Sequence, residues 1–93
     1  MYDRVLNRMR KLVFERRYIV TAHACDEMAA DDLAVLDVES TILTGKIMER
    51  QKDRVTSENK YRLRGEALDG SSMEVIAKFS ATGKLAVITV YAL

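Results

Sequence analysis

With 93 residues, 48% of them hydrophobic, the chain can bury one modest core, which makes residues 1–93 a single domain near the lower limit of independent stability. One cysteine, Cys25, and one histidine, His23, exclude an intramolecular disulfide and a four-ligand zinc site, and they fit a reducing, cytoplasmic setting with no cofactor. A net charge of +1 selects no partner by itself, and no apolar run approaches the roughly 18 to 20 residues that span a bilayer.

In chain order, the first pattern is helical. Tyr2, Val5, Leu6, Met9, Leu12 and Val13 share one stripe on a 3.6-residue period, with Arg4, Arg8 and Lys11 opposite, so residues 1–17 read as an amphipathic helix ending near Arg16 or Arg17. The same apolar residues argue against a secretory signal, which needs an uninterrupted apolar stretch. "YIVT", Tyr18 to Thr21, is short and β-branched, and reads as an edge strand or extended connector. Thr21 is placed to N-cap a helix through about Ala30, with Asp26 and Glu27 near its positive end. "DDLAVLDVESTIL" then repeats helical spacing at Leu33, Leu36, Val38, Ile42 and Leu43 after a turn at Asp31 and Asp32, and Gly45 closes it.

From Lys46 the period changes to two. "KIMERQKDR", "KYRLRGEAL", "SMEVIAKFS" and "KLAVITVYA" are strand-length runs, and Asp69-Gly70 and Thr82-Gly83 supply the positive-φ residues of tight hairpins. Short connections make neighbouring strands antiparallel, so the expected fold is α+β: two or three N-terminal helices on a four-stranded antiparallel meander. Alternation puts Tyr61, Leu63, Val75, Phe79, Leu85, Val87 and Tyr91 on the face toward the helices. Arg62, Arg64, Glu66, Glu74, Lys78, Ile88 and Val90 fall on the other. "LAVITV" is apolar on both sides, which calls for a cover, either the N-terminal helix or a partner.

Charge is segregated. Residues 1–17 carry six Lys/Arg against two acids, residues 18–45 six acids and no Lys/Arg, and residues 46–93 nine Lys/Arg against six acids. A polyanion would be drawn to a surface built from the outer two segments, while attraction between helices and sheet is the plainer alternative.

The residues that could carry chemistry form two groups. His23 and Glu27 are i, i+4 neighbours, with Ala24, Cys25 and Met28 turned to the buried side; a neutral imidazole oriented by a carboxylate can act as a general base, and the same placement suits a histidine that only caps a helix start. Arg62, Arg64 and Lys78 project from adjacent strands, with Arg50 able to extend the patch, and can bind phosphate or stabilise a phosphoryl transition state. Cross-strand pairing with Glu66 and Glu74 accounts for them equally well. Tyr61 and Tyr91 could stack on bases, although alternation places both in the core. "DGSS" and "ATGK" are turns, not phosphate loops, because neither leads from a strand into a helix.

"HACDEM", "DVESTILTGKIMERQKDR", "KYRLRG", "DG" and "TGKLAVITVY" occur in an order and spacing that resemble a small bacterial family classed as similar to the RelE and BrnT toxins of type II toxin-antitoxin systems. The likeness runs from Tyr18 to Tyr91, so 18–93 forms the family core and 1–17 an added helix. The resemblance implies a RelE-like fold and a metal-independent endonuclease acting on messenger RNA, whose 2′-hydroxyl attacks the adjacent phosphate. It implies neutralisation by a small antitoxin protein, often of zinc-finger type. Carried onto this chain, it places the family's histidine on His23 and its basic strand positions on Lys60 to Arg64 and Lys78; joined to the two groups above, the candidates are His23, Glu27 and Arg64 for catalysis and Arg50, Lys60, Arg62 and Lys78 for RNA. Many relatives have Arg where this chain has Glu27, and a charge of +1 is low for a toxin that enters the ribosome. The alternative is a non-catalytic protein-binding module on the same fold; self-association is compatible with either.

Overall fold

A computed structural model describes all 93 residues, Met1–Leu93. The elements are α1 (Asp3–Phe14), β1 (Tyr18–Val20), α2 (Ala22–Ala30), α3 (Val35–Thr44), β2 (Lys46–Lys52), β3 (Asn59–Glu66), β4 (Ser72–Phe79) and β5 (Leu85–Ala92). The α+β class holds. The sheet has five strands in the order β1-β5-β4-β3-β2, not four. β2 to β5 form the expected antiparallel meander, and β1 adds a parallel edge pairing of Tyr18, Ile19 and Val20 with Leu85, Ala86 and Val87. Gly70 and Gly83 take φ of 86° and 81° at the hairpin turns, as their positions require.

All three helices lie on one side of the sheet. Met9, Leu12 and Val13 of α1, Ala24 and Met28 of α2, and Val38 and Ile42 of α3 join Leu63, Met73, Val75, Leu85, Val87 and Val90 in a single buried cluster. Arg10 ties α1 to the end of α3: Nε donates to the Ile42 carbonyl at 3.2 Å and Nη2 to the Gly45 carbonyl at 2.8 Å, satisfying acceptors that a helix C-terminus leaves open. The N-terminal helix therefore does not cover the outer side of β5. No helix covers that face, and Ile19 on it is 46% exposed.

β1 shields only the first half of the β5 edge. Along the second half, α2 supplies side-chain acceptors: Glu27 Oε1 takes the Val90 N–H at 3.1 Å and Asp31 Oδ2 takes the Ala92 N–H at 3.0 Å. An otherwise open strand edge is capped by two carboxylates. Thr21 N-caps α2, accepting from Ala24 N at 3.2 Å, whereas Asp26 and Glu27 fall beyond the first turn and contribute little to its dipole. Asp37 serves similarly in α3, its two oxygens accepting from the Ala34 and Leu68 amides. Three acids of the 18–45 segment thus bind backbone N–H groups. The ion pairs that involve Lys or Arg all lie within 46–93, so helix-to-sheet charge neutralisation is not how the acidic segment is used. No helix is long and apolar enough to cross a membrane.

A bulge overturns part of the predicted alternation. Ile76 pairs with Thr89 but Ala77 with Val87, leaving Ile88 as the extra residue of β5. Beyond it inward and outward exchange: Val90 is buried in the core, and Tyr91 moves to the helix-free face opposite Glu74. Cys25, expected on the buried side of α2, is exposed.

Candidate functional site

The helix-free face of the sheet carries one tightly connected polar cluster, and its centre is Glu74. Although it projects from the middle of β4 toward the open face, its side chain is only 3% exposed. Oε2 accepts from Arg62 Nη1 and from Arg64 Nε, both at 2.8 Å, and Oε1 accepts from the Tyr91 hydroxyl. Register explains the convergence: Arg64 lies opposite Glu74 on β3, Tyr91 opposite it on β5, and Arg62 two residues along the same face. Arg62 Nε also donates to Glu49 Oε1 at 3.1 Å, extending the cluster to β2.

Burial pushes the Glu74 carboxyl up, but the Tyr91 hydrogen bond, the Arg64 hydrogen bond and the two guanidinium charges outweigh it and hold the group below its ordinary value. The hydrogen bond to Glu74, then burial, raises the Tyr91 hydroxyl. A fixed anion, two oriented cations and a protonated phenol result. Arg64 is the accessible member: its side chain is 48% exposed and only Nε is engaged, which leaves both Nη groups without a hydrogen-bond partner in the protein. Beside it a shallow cleft of about 270 Å³ is lined by Lys46, Arg64, Glu66 and Ser72, with Thr44, Gly45 and Gly65.

The other residues singled out by the sequence fall elsewhere on the molecule. His23 is 71% exposed at the β5 edge, with Nε2 3.4 Å from Glu27 Oε1, so the predicted i, i+4 pair forms. That same Glu27 oxygen caps the Val90 amide, which gives Glu27 a structural role of its own. His23 belongs to α2 in the helix layer, whereas Arg62 and Arg64 point to the opposite face, and β4 lies between β5 and β3, so the two groups are separated by about two strand spacings, roughly 10 Å of backbone, as well as by the sheet. Lys78 shares the outer face but is paired with Glu58 at 2.7 Å. Lys60 lies on that face too, opposite Gln51. Arg50 does not extend the patch: a β2 irregularity between Ile47 and Glu49 sets it opposite Tyr61, on the helix side of the edge. Tyr61 is buried between Tyr2 and Phe79 in edge-on ring contacts and is unavailable for base stacking, in keeping with its place in the alternation. Groups of three or more His, Cys, Asp and Glu placed to hold a metal ion do not occur. The largest cleft, about 360 Å³ between Asn59, Tyr61 and Phe79, includes none of the cluster.

Glu74 is the member that the sequence does not single out. Alternation places it on the face of Arg62 and Arg64, but a single carboxylate between two arginines reads as surface pairing until the register shows three donors meeting on it.

Two tyrosines bear on alkaline stability. Burial, then the hydrogen bond to Glu39, pushes Tyr18 up to about 12, and Tyr91 is raised by Glu74. A pKa raised by folding contributes stability that is complete below the ordinary tyrosine value and is lost as pH climbs through the folded value. Stability is therefore expected to fall between pH 10 and about 12. Chemical denaturation of wild type and Tyr18→Phe across that range checks this, since the phenylalanine variant should show a shallower decline; equal slopes would remove Tyr18 as a cause.

No curated protein and no solved structure matches the chain. The model of one family, described as a domain of unknown function (DUF4258), matches residues 20–92, which takes in β1's last residue, α2, α3 and the whole meander with its Glu74 cluster, and leaves α1 outside. The chain belongs to the DUF4258 family.

Proposed function

We propose that the protein is a toxin-type, metal-independent RNA endonuclease of the RelE and BrnT kind, with the helix-free sheet face as its RNA surface. The observation that supports this reading is the Glu74 cluster: on an open face, one buried carboxylate orients two guanidiniums and a phenol before any ligand arrives. Preorganised donors of this sort act on charge that develops at a phosphate in the transition state.

In this reading Arg64 and Arg62 hold the scissile phosphate, and Lys60 and Lys46 contact its neighbours. The removal of the 2′-hydroxyl proton is assigned to His23 by the family resemblance alone, since His23 stands on α2 at the β5 edge and not on this face. The 2′-oxygen bonds to phosphorus as the bond to the 5′-oxygen breaks, and Tyr91 protonates the departing oxygen. The products are a 2′,3′-cyclic phosphate and a 5′-hydroxyl. Glu74 is a positioning residue. A small antitoxin, of the zinc-finger type that the resemblance implies, would neutralise the enzyme by covering this face.

Incubation of the purified protein with single-stranded RNA in the presence of EDTA tests the proposal. Wild type should cleave, and Arg64→Ala, Tyr91→Phe and His23→Ala should each lower the rate by about 100-fold with circular dichroism unchanged. Absence of cleavage on any RNA, or variants as fast as wild type, would refute it.

A second reading, a non-catalytic protein-binding module, is favoured by the intramolecular pairing of the face: Arg62 with Glu49 and Glu74, Arg64 with Glu74, Lys78 with Glu58. Paired cations attract a polyanion weakly. The module predicts no cleavage, and tight binding of a protein that Arg64→Ala abolishes.

A further inference from the structure

The cleft beside Arg64 brings together four polar side chains that the rest of the protein leaves free. Lys46 and Glu66 take part in no ion pair, the Ser72 hydroxyl bonds to nothing in the protein, and Arg64 offers its two Nη groups. Register arranges the four as two rungs of the outer face. Lys46 lies opposite Arg64 across β2 and β3, and Ser72 opposite Glu66 across β4 and β3, so a cationic rung and an acceptor rung stand two residues, about 7 Å, apart. The backbone beneath them is fixed. Glu66 N–H donates to Thr44 Oγ1 at 3.0 Å, Arg10 Nη2 donates to the Gly45 carbonyl at 2.8 Å, and Gly65 packs closely against the Gly45 backbone. Arg64 is itself anchored to Glu74 through Nε, which holds its guanidinium with the two Nη groups free for a ligand.

We propose that this cleft recognises a guanine nucleotide of the RNA strand, with Lys46 and Arg64 on its phosphate and Glu66 and Ser72 on the Watson–Crick edge of its base. The inference rests on the proposed function for the RNA that brings the nucleotide to the cleft. Charge selects the class of ligand. A phosphate satisfies the cationic rung, but a carboxylate only accepts hydrogen bonds and repels a second phosphate, so the ligand must join an anionic group to an edge of donors. Among the four RNA bases guanine alone carries two adjacent N–H donors on one edge, the ring N–H and the 2-amino group, which a carboxylate takes with both oxygens. Adenine and cytosine present one amino group beside a ring-nitrogen lone pair, and uracil presents one N–H between two carbonyl oxygens. Each of these sets an acceptor against the carboxylate. The Ser72 hydroxyl, on the same rung as Glu66, supplies a donor for the guanine carbonyl, the third group on that edge. Glu66 is then a specificity-determining residue, in contact with the base and not with the reacting atoms.

Two measurements on the full chain test the proposal: NMR titration with GMP, IMP, AMP, CMP and UMP, and cleavage of single-stranded RNAs that differ only in carrying guanosine, inosine or adenosine at one position. Wild type should bind GMP about 10-fold or more tightly than AMP, CMP and UMP, with IMP between, because it keeps the ring N–H and lacks the 2-amino group. Glu66→Gln should abolish the preference without weakening AMP, CMP or UMP, and Lys46→Ala should weaken all five nucleotides alike. Both positions are exposed, so circular dichroism should stay as in wild type. Cleavage should be fastest next to guanosine and lose that bias in Glu66→Gln. Equal binding of the five nucleotides, or a guanine preference that survives Glu66→Gln, would overturn the proposal. The two readings fail separately: cleavage indifferent to guanosine removes the guanine site and keeps the nuclease, whereas Glu66-dependent GMP binding without cleavage of any RNA keeps the guanine site and removes the nuclease.

Discussion

Replacing Gly65 by alanine is expected to lower stability by about 3 kcal/mol or more, a large part of the roughly 5 to 14 kcal/mol that a chain of this size possesses. The reason is close approach. A Cβ at Gly65 would stand 2.3 Å from the Thr41 carbonyl oxygen, 2.9 Å from Gly45 Cα and 3.0 Å from Gly45 N. All three are backbone atoms, and none can rotate away. The Thr41 oxygen is also fixed as the acceptor of the Gly45 N–H at 2.9 Å, which ends α3, while Gly65 Cα sits on β3 beside the start of β2. Making room means separating α3 from β3, the contact on which Val38 and Ile42 are buried. Gly70→Ala provides the control: its φ is +86°, but nothing lies within 4 Å of the added methyl, so it should lose only about 1 kcal/mol, from conformation alone. Urea denaturation followed by circular dichroism compares the two. A Gly65→Ala midpoint at or above that of Gly70→Ala would show that the packing argument is wrong.

Gly65 also marks where the sequence stops being legible. It reads as a strand residue on the core-facing side, but nothing local announces that Thr41, 24 positions earlier, presses on it. The same holds elsewhere. The helices can be read because each carries its own period, and the hairpins because Gly70 and Gly83 supply a backbone conformation that few other residues adopt. β1 is legible as extended, yet its parallel partner lies at the other end of the chain, and a three-residue strand has too little pattern to name it. The bulge at Ile88 involves no glycine, so period-two counting runs through it and inverts Val90 and Tyr91. That inversion hides the site, because it assigns to the core the phenol that completes the Glu74 cluster. Cys25 is misplaced for a related reason: it lies about 100° around the helix from Ala24, at the margin of the buried stripe, where a wheel cannot decide.

Removal of the Glu74 carboxylate is the second substitution with a large expected effect. Glu74→Ala leaves Arg62 and Arg64 as neighbouring cations and the Tyr91 hydroxyl without its acceptor, and should lower stability by about 2 to 3 kcal/mol. That is less than a fully buried ion pair would lose, because Arg64 is half exposed and water can take up its charge. A double-mutant cycle with Tyr91→Phe should be clearly non-additive, since either change breaks the same hydrogen bond. The pH dependence follows from the direction of the Glu74 shift. A carboxyl held below its ordinary value contributes stability above about pH 4.5 and loses it as pH falls through the folded value, so Glu74→Gln should flatten the acid limb of the wild-type stability curve. An unchanged acid limb, or additive effects of Glu74→Ala and Tyr91→Phe, would mean that the three donors do not depend on the carboxylate. The substitution also separates structure from chemistry. Glu74→Gln keeps the side-chain shape and an acceptor for one donor but releases the guanidiniums from their anion. If Glu74 only stabilises the sheet, any RNA cleavage should track the fraction folded. If it positions Arg64 for a phosphate, cleavage should fall further than the unfolded fraction explains, because a mobile guanidinium no longer meets the developing charge in a fixed geometry.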